Sequence, residues 1–251
     1  MTDLSGKIAI VTGGTRDIGR ACSIQLAQAG AKVAVNYCNN KAAGEETMAA
    51  IKAAGGEAIL VKGDMTKKAD VDALVAATTK AFGNDIHVLV NNVGGLVARK
   101  KLAEMDEEFL NHVVSLNMNS TFLATQAVVP HMPKGGSIVN LASLAGRDGG
   151  GGGSAAYALS KAAVMAFTRA MAKELGPDGI RSNALCPGMI DTTFHDTFTP
   201  DHVRTHVENS VPLRRQGKSE DCADLVVYLA SDKSSYITGA NIDINGGMFF
   251  S

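Results

Sequence analysis

The sequence carries no surplus of charge: 24 Lys and Arg stand against 25 Asp and Glu, a formal net charge of −1. A nucleic-acid partner would favour a concentrated basic excess, so that class of function is not indicated. Cysteines are few, and Cys22, Cys38, Cys186 and Cys222 fall with no CxxC and no regular spacing. Small thiols in a reducing compartment suit that pattern better than disulfides or a zinc site. Also missing is any uninterrupted apolar run of about 18 residues, so no membrane span is expected. The opening MTDLSGKIAIVTGG has no basic stretch leading into a long apolar segment and no small-residue cleavage site. The expectation is therefore a cytoplasmic protein without a signal peptide. No proline- or serine-rich linker and no internal repeat divides the chain.

What is there is an alternation. Short apolar runs at residues 7–12, 32–37, 57–64, 87–92, 137–143, 181–187 and 241–246 are mostly rich in β-branched residues and end in polar or glycine positions. That is how parallel strands buried on both faces read. Between them lie helix-length segments at 20–29, 41–54, 68–82, 107–129 and 155–175, with Gly30, Gly55 and Gly83 placed as C-terminal stops. Repeated strand–helix–strand units imply a single α/β domain over 1–251: a Rossmann-type, doubly wound, mostly parallel sheet with helices on both faces. The glycine run at 149–153 has a linker's composition, but its position between a strand and a helix makes it an intradomain loop.

In such sheets ligands bind beyond the carboxyl ends of the strands. The stretch TGGTRDIGR (12–20) follows the first strand and opens the first helix, with Gly13, Gly14 and Gly19 letting a phosphate approach the backbone. Asp17 puts a carboxylate in that turn. It suits the first turn of a helix whether or not a ligand binds, and we expect its side chain to point away from the phosphate site. Further along, Tyr157 and Lys161 are four residues apart on one helix face. An ammonium there would lower the phenol's pKa and make it a usable acid or base; for the spacing alone, an ordinary tyrosine beside a solvated lysine is the commoner case. Ser143 ends the preceding strand, and Asn117 interrupts the apolar stripe of the helix before that.

Together these residues resemble the short-chain dehydrogenase/reductase family across essentially the whole chain. TGGTRDIG is similar to its TGxxxGxG turn, NNVG (91–94) to its NNAG segment, and Asn117, Ser143, Tyr157 and Lys161 to its catalytic tetrad in order and spacing. CPGMIDT (186–192) resembles the segment on the nicotinamide side, and ITGANIDINGG the C-terminal motif, with Asn245 for its aspartate. The resemblance implies that Tyr157 exchanges a proton with the substrate oxygen as hydride moves and that Lys161 lowers the tyrosine's pKa and bonds the nicotinamide ribose. It also implies that Ser143 polarises the carbonyl and that Asn117 holds a relay water. Implied cofactor contacts are Gly13, Thr15, Arg16, Ile18 and Gly19 in the turn, then Asp64 and Met65 near the adenine and Asn91 at its ribose. Gly94, Tyr157, Lys161, Pro187, Gly188, Ile190 and Thr192 complete the set.

The second strand leads into NYCNNK, with no acid until Glu45, whereas an acid there would favour NAD. Arg16 resembles the family's 2′-phosphate arginine, and a guanidinium suits phosphate. NADPH/NADP is favoured, with NAD(H) the alternative and Asp17 a competitor for Arg16. Arg99 and Arg147 are candidate ligands for an anionic or carrier-bound substrate, though loop cations are usually solvated. Residues 189–211 occupy the place of the family's substrate lid. Its HVRTH lacks the central glutamate of a zinc motif, so no metal is expected. The chain is similar overall to 3-oxoacyl-carrier-protein reductases. Reduction of a keto sugar or keto sugar acid is the alternative; a non-catalytic dinucleotide sensor and an epimerase or dehydratase are less favoured. By resemblance it forms a homotetramer, with helices 107–129 and 155–175 packing against copies of themselves.

Overall fold

The computed structural model describes residues 3–251. Seven strands form one sheet: β1 (Ile8–Val11), β2 (Lys32–Tyr37), β3 (Glu57–Lys62), β4 (Val88–Asn91), β5 (Ser137–Leu141), β6 (Arg181–Pro187) and β7 (Asn241–Ile244). Their order is β3-β2-β1-β4-β5-β6-β7 and every pairing is parallel. Strand order reverses between β1 and β4, so the carboxyl ends of these two strands open the crevice in which a ligand is expected. Each strand has its ends within two residues of the sequence-based position, and β2 and β6 match it. Bare β-branched runs flanked by glycine leave little room for another reading.

The sheet is buried on both faces, as alternation along β1 shows. Ala9 and Val11 point into one apolar cluster with Val33, Val35, Leu26, Val226 and Leu229. Ile10, between them, points into another with Ala34, Leu89, Ile138, Leu74, Val128 and Leu175. The first cluster is closed by α1 (Asp17–Gln28), and the second by α3 (Lys68–Phe82), with α2 (Lys41–Ala53) between them in the chain. Among the described residues no helix is long and apolar enough to cross a membrane.

The expected helix over 107–129 forms with a π-helical turn inside it: α4 (Glu107–Val114) continues through Ser115–Asn119 into α5 (Ser120–Val128), with helical backbone at both junctions. The cause is Asn117. Its amide donates to the Val113 carbonyl at 2.9 Å, inserting a side chain into the backbone ladder. The remaining helices are α6 (Ala145–Asp148), α7 (Ala155–Leu175), α8 (Thr193–Phe198), α9 (Asp201–Ser210) and α10 (Ser219–Ala230). The α10 helix packs beside α1 over the first cluster, and α7 has the bounds expected from sequence.

Candidate active site

The turn after β1 is a cradle with no room for side chains. A Cβ on Gly19 would stand 2.2 Å from the Gly13 carbonyl oxygen, and one on Gly14 would stand 2.6 Å from the Ser23 hydroxyl. Gly13 has φ +60, and α1 opens at Arg16 with no side chain capping it. Bare backbone at an uncapped helix start fits an anion such as a pyrophosphate. Two asparagines fix the turn. Asn36 accepts from the Gly13 N–H at 3.0 Å and donates to the Gly63 carbonyl at 3.0 Å. Asn92 donates to the carbonyls of Thr12 and Gly13 at 3.1 and 3.0 Å. Neither was recognised from sequence as holding the turn; the doubled asparagine in NNVG was the available signal.

Asp17 occupies the left-handed region, with φ +49, which a glycine would enter freely. Its carboxylate turns away from the cradle to Thr193, accepting from the backbone N–H at 3.2 Å and from the hydroxyl at 2.6 Å. Arg16 stays 4.0 Å from it, with its side chain 74% exposed at the mouth of the turn. Thr15 is buried and Ile18 packs against the core beneath α1.

Several implied cofactor residues have their side chains elsewhere. The Asn91 amide is buried beneath the sheet, donating to Asn140 Oδ1 at 2.8 Å and Thr125 Oγ1 at 3.0 Å, so it does not face a ribose. Met65 is a core side chain in the second apolar cluster, and Ile190 belongs to the first; only their backbone is left to meet a ligand. Asp64 remains half-buried at the end of β3. Burial raises its pKa, but hydrogen bonds from Thr66 and the nearby Lys67 outweigh this and hold it below the usual carboxylate range. Pro187 is buried at the end of β6, and Gly188 meets Asn245 so closely that a Cβ would lie 2.7 Å from that residue's own Cβ. The Thr192 hydroxyl donates to the Ile190 carbonyl at 3.0 Å.

The tetrad converges where β4, β5 and α7 meet. Lys161 is buried and donates to the Leu141 carbonyl at 2.6 Å, with its Nζ 5.8 Å from the centre of the Tyr157 ring. Gly94 makes the approach possible: a Cβ there would lie 2.5 Å from Asn117 Oδ1 and 2.8 Å from Lys161 Nζ. Asn117 donates to the Gly95 carbonyl at 2.9 Å and accepts from the Gly95 N–H at 3.0 Å. Its side chain thus shapes the loop after β4. Ser143, at the end of β5, accepts from the Ala145 N–H at 3.1 Å.

The expected lowering of the tyrosine's pKa is not what this geometry gives. Burial raises the Tyr157 phenol, and the neighbouring Ser143 hydroxyl only works against the rise. Lys161 is itself pushed down by burial, to about 8. Desolvation disfavours the charged form of each group and is the largest influence on both. A neutral phenol at the sheet edge is a proton donor.

Residues 189–211 include two short helices. Phe194 of α8 stacks on Tyr157 with ring centres 5.8 Å apart, and Phe198 meets Phe194 at 5.2 Å. Nothing in the sequence pattern singled out Phe194; the segment also carries His195, His202 and His206. Of these, His195 is pushed down to about 4 by burial and by the cations Arg204 and Arg99, while His202 and His206 are exposed on α9. The two candidate substrate arginines are otherwise engaged. Arg147 pairs with Asp243 at 2.6 Å, its side chain 15% exposed, and also donates to the Asn241 carbonyl; it does not act as a free anion ligand. Arg99 donates to the carbonyls of Phe198 and Gly152 at 3.2 and 3.0 Å, tying α8 to a glycine run that is itself largely exposed.

Comparison with known proteins agrees with this geometry. A family model described as Enoyl-(Acyl carrier protein) reductase matches residues 13–249. The 3-oxoacyl-(acyl-carrier-protein) reductase FabG of Staphylococcus epidermidis is 37% identical over 245 residues, 97% of this chain and 99% of its own. A mutant form of a short-chain dehydrogenase/reductase from Serratia marcescens superposes with a TM-score of 0.92 at 35% identity, over 97% of this chain and 98% of that one. An NADH-dependent reductase responsible for alginate metabolism gives 0.90 at 34% identity over 99% of both chains. A bare glycine cradle after the first strand, a serine–tyrosine–lysine group at the sheet edge and relatives matched from end to end place the chain in the short-chain dehydrogenase/reductase family of oxidoreductases.

Proposed function

We propose that the protein is an NADPH-preferring reductase of 3-oxoacyl thioesters. The observation that carries the cofactor assignment is the pairing of Arg16 and Asn36. Arg16 is exposed at the mouth of the cradle, whereas Asn36, next to last in β2, is turned inward to the Gly13 N–H and offers no acid to a ribose. A guanidinium in that position favours a 2′-phosphate. The thioester assignment is supported by the FabG relatives. It is also supported by the apolar wall of Phe194 and Phe198 beside Tyr157 and by the engagement of Arg147 with Asp243, which removes a cation that a sugar acid would need.

In this reading a bound nicotinamide supplies the hydride. Tyr157 donates its phenolic proton to the substrate oxygen, and its raised pKa keeps that proton in place until negative charge grows there. Ser143 donates a hydrogen bond to the same oxygen, and Lys161 restores the positive field around the phenol. Residues 189–211 form the substrate lid, and the protein works as a cytoplasmic homotetramer.

A second reading, reduction of a keto sugar acid with NADH, is favoured by the alginate-metabolism neighbour. Initial rates with an acetoacetyl thioester and an anionic keto sugar, each with NADPH and with NADH, separate the two. We expect the thioester with NADPH to be fastest. A preference for the sugar with NADH overturns both assignments.

A further inference from the structure

The glycine turn departs from its family's pattern at Asp17, and that residue reaches the lid. Its backbone sits at φ +49, a left-handed conformation that aspartate and asparagine adopt more readily than other non-glycine residues. What it gains is Thr193, 176 positions away, whose backbone N–H and hydroxyl both donate to the carboxylate. Thr192, at the cap position of α8, makes no capping hydrogen bond with its own side chain, so Asp17 supplies the acceptor at that helix start from across the fold. Arg16 at 4.0 Å is too far to hold the carboxylate by a hydrogen bond.

A helix of six residues has little stability of its own and depends on its anchors. Those of α8 are Asp17 at Thr193, the Tyr157 ring at Phe194, Arg204 at Asp196 (2.7 Å) and Arg99 at the Phe198 carbonyl. Asp17 is the anchor that comes from the cofactor turn, and the next residue of α8 stands on the catalytic tyrosine. We propose that Asp17 is a positioning residue that latches α8 to the glycine turn. A dinucleotide held by that turn enters or leaves when the Asp17–Thr193 contact opens, and Phe194 is kept on Tyr157 while it is closed. The inference rests on the reading of the turn as the dinucleotide site.

The test uses the full chain as wild type, Asp17→Gly, Asp17→Asn, Thr193→Val and the Asp17→Gly/Thr193→Val double variant. NADPH release is followed by stopped-flow displacement, and hydrogen exchange of residues 191–200 is followed without cofactor. Loss of a charged hydrogen bond predicts about tenfold faster release for Asp17→Gly. Thr193→Val moves the same way, and the double variant goes no further than Asp17→Gly. Exchange in 191–200 accelerates in each of these. Asp17→Asn keeps an acceptor and tolerates the same backbone, so its release stays within about threefold of wild type. Unchanged release and exchange in Thr193→Val overturn the latch. So does slower release in both Asp17→Gly and Asp17→Asn, which would make the carboxylate a charge that repels phosphate. If wild type binds neither NADPH nor NADH, the dinucleotide reading fails; the exchange arm then judges the Asp17–Thr193 contact by itself.

Discussion

Lys161 shows how burial and chemistry compete at one residue. Its folded pKa of about 8 lies below the ordinary 10.5 because the ammonium is taken out of water, with the Leu141 carbonyl as its hydrogen-bond acceptor. Between these values the unfolded chain binds more protons than the folded one, so this residue makes stability rise with pH across that window. Below pH 8 the whole cost of burying the charged form is present. Lys161→Met is therefore expected to gain stability relative to wild type at pH 7, and to lose that advantage progressively as pH rises from 8 to 10.5. Denaturant midpoints across that range check this; a difference that does not vary with pH contradicts it. The spacing of Tyr157 and Lys161 was legible in the sequence, but the balance was not. Whether an ammonium lowers a neighbour's pKa depends on separation and desolvation, and the helical repeat sets neither.

At the level of elements, the strands and α7 were legible because apolar runs and glycine stops have few alternative uses. The π-helical turn between α4 and α5 was not. Asn117 was visible as a polar interruption, but its insertion into the helix ladder depends on Gly95, 22 residues earlier. The same helices carry a prediction about assembly. Phe122 on α5 is 42% exposed and Leu159 on α7 is 46% exposed, and Phe122 meets Phe167 edge-on at 6.2 Å. An apolar face of this kind on two adjacent helices suits a second copy. Sedimentation velocity is expected to show a tetramer, shifted to smaller species by Phe122→Asp. A monomer at working concentration contradicts the assignment.

Across the whole molecule, local pattern located the cradle, the tetrad and the sheet, whereas contacts distant in sequence decided what several residues do. Asp243 pairs with Arg147, Asn140 accepts from the Asn91 amide, and Thr193 donates to Asp17. None of these pairings leaves a trace in spacing. The central claim is that this arrangement performs proton-coupled hydride transfer with Tyr157 as the acid. Its most direct test is Tyr157→Phe, assayed for turnover with the best substrate and, separately, for NADPH binding by fluorescence titration. The account predicts a fall in turnover of at least about 10²-fold, the lower end of what a positioned general acid contributes, with the NADPH Kd within about threefold of wild type. Turnover that survives the substitution, with cofactor binding intact, would contradict it.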